Sequence, residues 1–413
     1  MKLIYNIIIS TTYFFLKKFS LVSKKLKLFT EGRKKSFHIL SGIKTTDKVF
    51  WFHAASLGEF EQARPIIETI RDTYFDYKIV VTFFSPSGYE IRKNYPYADF
   101  VCYLPFDTES NMRKFVSLIH PTFAFIIKYE FWPNLLDQLE RKKIKTILIS
   151  GIFRKEQLFF KWYGKYMRKK LNTFDYFFVQ NSTSLSLLKS INFTNATRSG
   201  DTRFDRVNDI LKQNNQIPSI EEFIDNKHTI VAGSTWPEDE KFIVDYINNH
   251  LLGNEKVIIV PHNIHENKIH ELKASITKNV VLLSQQKLVN FKTCQVLIID
   301  TIGLLTKIYS YADIAYVGGG LATGLHNILE PAIFGIPIIF GGIKYKKFQE
   351  AIDLLNLGGV TIVTNKKELI HNFVALRTNH ELRQKMGAIN FNYVTKNTGA
   401  TKTILEYIKN NLC

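Results

Sequence analysis

The chain has 413 residues, of which 45% are apolar and 14% aromatic, and it carries 55 Lys and Arg against 37 Asp and Glu, a formal net charge of +18. This composition excludes a disordered chain, and at ~100–200 residues per domain the length predicts two domains. Cys102, Cys294 and Cys413 are odd in number and far apart, which excludes a disulfide framework or clustered thiolate site and fits a reducing compartment.

The charge excess bears on partners, and it leaves nucleic acid, an anionic membrane and an anionic substrate to be separated. Much of it lies at the front, where nine Lys and Arg fall in the first 36 residues with only Glu31 to oppose them. Leu3–Leu16 reads LIYNIIISTTYFFL and is followed by Lys17 and Lys18. That run is shorter than the ~20 residues that cross a bilayer. A spanning helix would have to continue to about Val22 with two lysines inside it, and KKFSLVSKKLK has no convincing signal-peptide cleavage site. An apolar and polybasic anchor on a membrane surface, residues 1–35, is the reading that fits best; a spanning helix and a core helix with a basic tail are its rivals.

From residue 47 onward short apolar runs alternate with amphipathic stretches. Strands are predicted at 48–54, 78–84, 99–104, 122–128, 145–150 and 175–181, with helices such as Leu57–Arg71 and Pro86–Asn94 between them. A polar stretch with QNNQIPS at its middle, 208–226, reads as a linker. Strands follow again at 228–233, 255–261, 280–284, 295–300, 313–320, 336–340 and 359–364, and a last helix at about Thr401–Asn411 is placed to pack back on the first domain. Apolar strands without in–out alternation, separated by helices, predict parallel sheets covered on both faces. The chain therefore reads as two doubly wound α/β domains, 36–207 and 227–413, expected to face each other across a cleft at the carboxyl ends of their strands.

Four places depart from the plain strand–loop–helix pattern. HAASLGEFEQ (53–62) puts Ser56, Gly58 and Glu59 at a strand's carboxyl end; by spacing alone Glu59 is either a helix-start carboxylate or a general base, with Glu61 a weaker rival. KYEFWPNLL (128–136) ends a strand in Glu130, a group equally suited to an ion pair with Lys128. SGDTRFDRV (199–207) places Arg203 and Arg206 around Asp205, and arginine suits a carboxylate or phosphate. In the second domain GSTWPEDE (233–240), PHNIHE (261–266), DTIGLL (300–305) and GGGLATGLHNILEPAIFGIP (318–337) collect turn glycines, and Asn327–Phe334 reads as a helix whose start could take a phosphate. No P-loop, HExxH or CxxC pattern is present, and His53, His262, His265 and His326 lack metal-site spacing.

Together with GRK (32–34) and LPFD (104–107), these segments in this order resemble the 3-deoxy-D-manno-octulosonic acid (Kdo) transferases of lipopolysaccharide synthesis over nearly the whole chain. The resemblance implies a GT-B glycosyltransferase fold, two facing Rossmann-like domains with a membrane-associated N-terminal helix. It implies CMP-Kdo as donor, a lipid A precursor (lipid IVA) as acceptor, inversion at the anomeric centre, no cofactor and no required metal. The first domain would take the acceptor and the second the CMP, at the cytoplasmic face of the cell inner membrane. Carried over by motif, Glu59 would be the general base, and Glu130 and Arg203 would stabilise the transition state. CMP contacts would fall on Pro261, His262, Ile302, Gly303, Leu304, Asn327, Ile328, Leu329 and Glu330, with Glu330 on the ribose hydroxyls.

The chain departs from the family pattern in three places. Pro261–His262–Asn263–Ile264 stands where Pro-Arg-His-Pro is common, Leu304 where a glutamate is usual, and GLHNILE (324–330) where GGHNPLE is usual. The first makes phosphate contact weaker or pH-dependent. Two other readings stand beside this one. Another GT-B sugar-nucleotide transferase or epimerase would use a UDP-sugar in the same fold. A nucleic-acid-binding protein would show basic residues interleaved with aromatics on one face or a recognised motif, and neither is present.

Overall fold

The computed structural model describes residues 1–19, 23–286 and 289–412. Ser20–Val22, through which a spanning helix would have to pass, and Cys413 lie outside the described residues. The chain divides into two compact units, 1–206 with 398–413 and 207–397.

The first unit opens with two helices, α1 (Lys2–Phe19) and α2 (Lys24–Leu40). Its sheet has strands β1 (Lys48–Ala54), β2 (Tyr77–Phe83), β3 (Phe100–Tyr103), β4 (Phe123–Ile127), β5 (Lys145–Gly151), β6 (Tyr176–Val179) and β7 (Ala196–Arg198), in the order β3-β2-β1-β4-β5-β6-β7. All the pairings are parallel. Every residue of β1 after Lys48 and all of β4 is buried, which is the burial of a sheet covered on both sides. Helix α3 (Leu57–Thr73) presents Phe60, Ala63, Ile67 and Ile70 to the core at helical spacing. The short edge strand β7, with no apolar run, escaped the sequence reading.

The second unit repeats the plan with β8 (His228–Thr235), β9 (Glu255–Pro261), β10 (Val280–Leu282), β11 (Val296–Ile298), β12 (Ile314–Val317), β13 (Ile338–Gly341) and β14 (Val360–Val363), in the order β10-β11-β9-β8-β12-β13-β14. These pairings too are parallel.

One stretch differs from expectation, and another follows it. The expected linker, 208–226, is packed chain: Pro218–Ile224 is a helix whose Ile220 and Phe223 are fully buried, and the Ile217 N–H donates to the Tyr311 hydroxyl at 2.6 Å. Its polar composition concealed a short amphipathic turn. The C-terminal helix Ala400–Asn410 counts with the first unit, where Ile404 and Ile408 join the core and Asp205 accepts from the Thr401 N–H at 2.7 Å and from the Gly399 N–H.

Helix α1 is apolar on two sides. Tyr5, Ile9, Tyr13 and Leu16 turn toward the protein, whereas Ile4, Ile7, Ile8, Phe14 and Phe15 are exposed. Polar contacts pin the inner face: Tyr5 donates to Asp107 at 2.7 Å, Asn134 donates to Asn6 at 2.8 Å and the Lys2 ammonium lies 3.2 Å from Asp137. Among the described residues no helix is long and apolar enough to cross a membrane.

Candidate active site

The first-unit site forms where strands β1 and β4, neighbours in the sheet, end. Ser56 is extended (φ −142°) ahead of α3 but makes no side-chain cap to that helix. Its hydroxyl donates to Glu59 instead, and Tyr129 lies beside the same carboxylate. Glu59 is 8% exposed in the first turn of α3. Its carboxylate is thus presented to side chains at a helix N-terminus, where the dipole favours negative charge. Burial pushes the Tyr129 hydroxyl up, and the carboxylates of Glu59 and Glu130 add to this while Arg154 opposes it. Glu59 and Glu130 therefore share Tyr129 as a neighbour.

Glu130 follows Lys128, which is held at φ 64° just past β4. A non-glycine residue there costs of order 1–3 kcal/mol and is characteristic of functional sites. The Trp132 indole donates to Glu130 at 2.8 Å, and His53 Nε2 lies 3.5 Å from the same carboxylate. His53 is wholly buried, with Nδ1 3.0 Å from the Thr82 hydroxyl. Beside Glu130 opens a cavity of about 420 Å³ lined by Tyr129, Trp132, Gln157, Leu158 and Phe159 among others.

Arg203 is oriented through Asp201. Its Nε donates to Asp201 at 2.9 Å, its Nη2 lies 2.8 Å from the same oxygen, and its backbone N–H donates to the other oxygen at 2.9 Å. Gln62, one turn after Glu59 in α3, donates to Asp201 at 3.0 Å and ties this network to the helix that carries Glu59. Burial alone would raise the Asp201 pKa, but Arg203, the hydrogen bonds it makes and the charge of Lys128 hold it below the usual carboxylate value. Glu61, the weaker rival, is occupied: it pairs with Arg92 at 2.8 Å and with Arg206.

LPFD proves to be a joint. Buried Asp107 accepts from the Asn134 and Leu135 N–H groups at 3.0 and 2.8 Å, capping helix Pro133–Arg141, while also holding Tyr5 of α1. Burial pushes its pKa up to about 7, against the pull of these hydrogen bonds.

In the second unit the motifs at 233–240, 261–262, 300–305 and 326–330 come together. Ser234 sits at φ 53°, and Asp239, fully buried, accepts from the Trp236 N–H (3.0 Å), the Gly319 N–H (2.8 Å) and the Tyr316 hydroxyl (2.8 Å). Gly319, at φ 93°, has no room for a Cβ beside the Gly324 carbonyl and His326. The His262 ring stacks on both Trp236, 4.8 Å away at 18°, and His326, 4.5 Å away at 28°. The Trp236 indole donates to His326 Nε2 at 2.9 Å. Burial lowers the pKa of both histidines, that of His326 to about 4 with His262 adding to the shift. Where the family pattern has arginine, this chain therefore offers a neutral ring at pH 7. Glu330 is held by Asn327 (3.0 Å) and by Thr306 (2.8 Å), which joins the 300–305 turn to the 326–330 loop.

The remaining predicted contacts divide. Ile302 is 86% exposed and Gly303 takes φ 92°, with Leu304 starting helix Leu305–Ile308. Pro261, Ile328 and Leu329 are buried, so their side chains belong to the core and only their backbone can meet a ligand. Among the described residues no three His, Cys, Asp or Glu side chains gather as a metal site. Sequence reading singled out no role for Tyr129, Asp201, Trp236, Asp239 or His326, although each stood inside a quoted motif. Asp239, three residues after Trp236, had the spacing of a capping box. Gln62 carried no signal at all.

The two-sheet architecture defines the class. A UDP-GlcNAc 2-epimerase from Neisseria meningitidis superposes with TM-score 0.60 over 88% of this chain and 100% of its own at 17% identity. MurG from Acinetobacter baumannii does so with TM-score 0.56 over 88% and 99% at 10% identity. The fold is that of GT-B glycosyltransferases and epimerases. Within that class, residues 27–206 match the family model described as 3-deoxy-D-manno-octulosonic-acid transferase. The 3-deoxy-D-manno-octulosonic acid transferase of Haemophilus influenzae is 27% identical over 87% of this chain and 86% of its own length, and bacterial enzymes of the same name match at similar identity. The chain is similar to the Kdo transferases over most of its length, as its ordered motifs implied.

Proposed function

We propose that the protein is a glycosyltransferase that moves Kdo from CMP-Kdo to a lipid A precursor, lipid IVA, in lipopolysaccharide synthesis. The observation that carries this reading is the match to the Kdo-transferase family model over 27–206, the stretch that holds Glu59, Glu130 and Arg203. In this mechanism Glu59 takes the proton of the attacking sugar hydroxyl. The hydroxyl oxygen bonds to the anomeric carbon from the face opposite CMP, and CMP departs with the electrons of the broken carbon–oxygen bond, inverting the centre. Glu59 suits the task because it stands in the first turn of α3, where the helix dipole favours a carboxylate, with the Ser56 hydroxyl donating to it. Glu130, fixed by Trp132, and Arg203, fixed by Asp201, act on the charge that develops at the anomeric carbon, the sugar carboxylate and the departing phosphate. In the second unit Asn327 and Glu330 take the ribose, and the Trp236–His262–His326 stack borders the nucleotide.

The outer face of α1, apolar opposite a face already packed on protein, supports attachment to the cytoplasmic face of the inner membrane, since a helix apolar all round is buried on all sides. Ile7→Glu with Phe14→Glu, both on that outer face, is expected to release the chain from anionic vesicles without loosening the Tyr5–Asp107 contact.

Incubation with CMP-Kdo and lipid IVA tests the reading: the acceptor mass rises in steps of one Kdo. A UDP-sugar enzyme is the other reading, favoured by the fold likeness to the epimerase. Stabilisation against heat by UDP and not by CMP, with no change in acceptor mass, would replace the first reading by the second.

A further inference from the structure

Past β5 the chain makes a short structured excursion that no step above uses. Leu158–Phe160 is a single 3₁₀ turn, and Lys165–Lys170 is a short helix. Phe159 is driven inward against Phe131 and Phe153. Its neighbours point the other way: Trp162 is 91% exposed, Tyr163 55% and Leu158 50%. Trp162 and Tyr163 meet edge to face with ring centroids 5.4 Å apart. This is not loose chain. Arg168 donates to the carbonyls of Phe159 (2.8 Å) and Lys161 (3.0 Å), and a Cβ on Gly164 would run into the Leu158 carbonyl. The segment is thus braced so as to hold two large aromatic rings in water.

The surroundings say what those rings meet. Arg154–Lys170 carries seven basic residues and one acidic, Glu156, and Lys155, Lys165 and Lys169 are exposed. Trp and Tyr beside lysines, around an apolar tip, is the composition that sits at the headgroup level of an anionic bilayer. The segment also adjoins α1: Tyr166 lies by the carboxylates of Asp107 and Asp137, the groups that hold Tyr5 and Lys2. Glu156, Gln157, Leu158 and Phe159 form one wall of the cavity beside Glu130.

We propose that residues 158–165 are a second membrane contact, an aromatic and basic loop that dips into an anionic bilayer surface and brings the mouth of the Glu130 cavity to the lipid. This deepens the membrane-attached reading of α1 and rests on it only for the supposition that the chain works at a membrane. A soluble donor needs no such device, whereas an acceptor carried in a bilayer has to be reached at its surface.

Tryptophan fluorescence tests it, because Trp162 is the exposed member of the four tryptophans. The full chain is mixed with phosphatidylethanolamine–phosphatidylglycerol vesicles whose acyl chains are brominated, and both co-sedimentation and emission are read. Vesicle binding is expected to shift emission to the blue and quench it, and Trp162→Phe is expected to remove both changes while leaving the chain folded and bound. Lys165→Glu with Lys169→Glu is expected to weaken binding roughly tenfold or more, at ~1 kcal/mol per lysine near the surface. Binding with unchanged Trp162 emission overturns the loop proposal and leaves α1 as the anchor. Undiminished binding, with quenching, in the outer-face α1 variant Ile7→Glu/Phe14→Glu overturns the α1 anchor and keeps the loop. Absence of vesicle binding overturns both. A concentration-dependent dimer that Trp162→Ala abolishes, with no quenching on vesicles, assigns the loop to contact between copies.

Discussion

The two units are built to one plan and furnished differently. Each has seven parallel strands with its first strand, β1 or β8, near the centre of the sheet. At the ends of β1 and β4 the first unit gathers ionised groups in fixed pairs: Glu59 with the Ser56 hydroxyl, Glu130 with an indole, Asp201 with Arg203. At the ends of β8, β9 and β12 the second gathers rings and backbone: Trp236, His262 and His326 stacked beside a glycine loop that Asp239 holds. A site that moves a proton and meets developing charge needs fixed ionised groups. A site that holds a planar nucleotide needs flat surfaces and open N–H groups. The shared scaffold and the unlike furnishings are what a division between chemistry and nucleotide binding requires, and substitutions in either unit test that division.

The largest expected effect is at Glu59. Glu59→Gln keeps the hydrogen-bonding shape and removes the base, so turnover is expected to fall ~10²–10⁴-fold while the thermal shift produced by CMP is unchanged. Loss of CMP stabilisation in this variant would erase the division between units. Arg203→Ala comes next, with turnover expected to fall ~10²-fold or more and acceptor KM moving less. Asp201→Asn is expected to follow it in direction by releasing Arg203.

How much of this was legible depends on what signals the chain carries. Thirteen of the strands announce themselves as apolar runs, since a strand covered on both faces must be apolar throughout. β7 does not, because an edge strand of three residues buries little. Residues 208–226 were read as linker from their polarity, yet Ile220 and Phe223 suffice to bury one helical turn. Glu59 and Glu130 were visible as charged residues at strand ends, and Arg203 as an arginine at the end of the first domain. Their partners were not: Gln62 reaches Asp201 across 139 positions and Tyr5 reaches Asp107 across 102, and no local pattern encodes such pairs. Ile328 and Leu329 show the converse, that apolar members of a motif can give their side chains to the core and leave only their backbone to a ligand.

In the second unit the expected effects are smaller and fall on binding and stability. Asp239→Ala strands the Tyr316 hydroxyl and the Trp236 and Gly319 N–H groups, at ~1–3 kcal/mol. For a unit of this size that is a fall of roughly 2–12 °C in its melting transition. Calorimetry with and without CMP checks it: weakened CMP stabilisation is expected along with the lower transition. An unchanged CMP response would detach the Trp236 stack from the nucleotide.

The remaining expected effect, confined to acid pH, is a pH dependence. His326 has a pKa near 4 in the folded chain, lowered from 6.5 by burial and by His262. The unfolded chain therefore takes up this proton first as pH falls. Stability from this group is complete above pH 6.5, declines as pH drops toward 4, and declines no further below that. His262 shifts in the same direction and adds to the slope. Asp107, with its pKa raised to about 7, titrates in the same window with the opposite sign, so the measurement is the difference in thermal stability between the unaltered chain and His326→Gln, which is expected to change across this window. A Glu59 variant, altered in the other unit, is expected to leave this slope untouched. A difference that stays constant across the window would mean that the titrating groups lie elsewhere and that the neutral ring stack is not what sets the second unit apart.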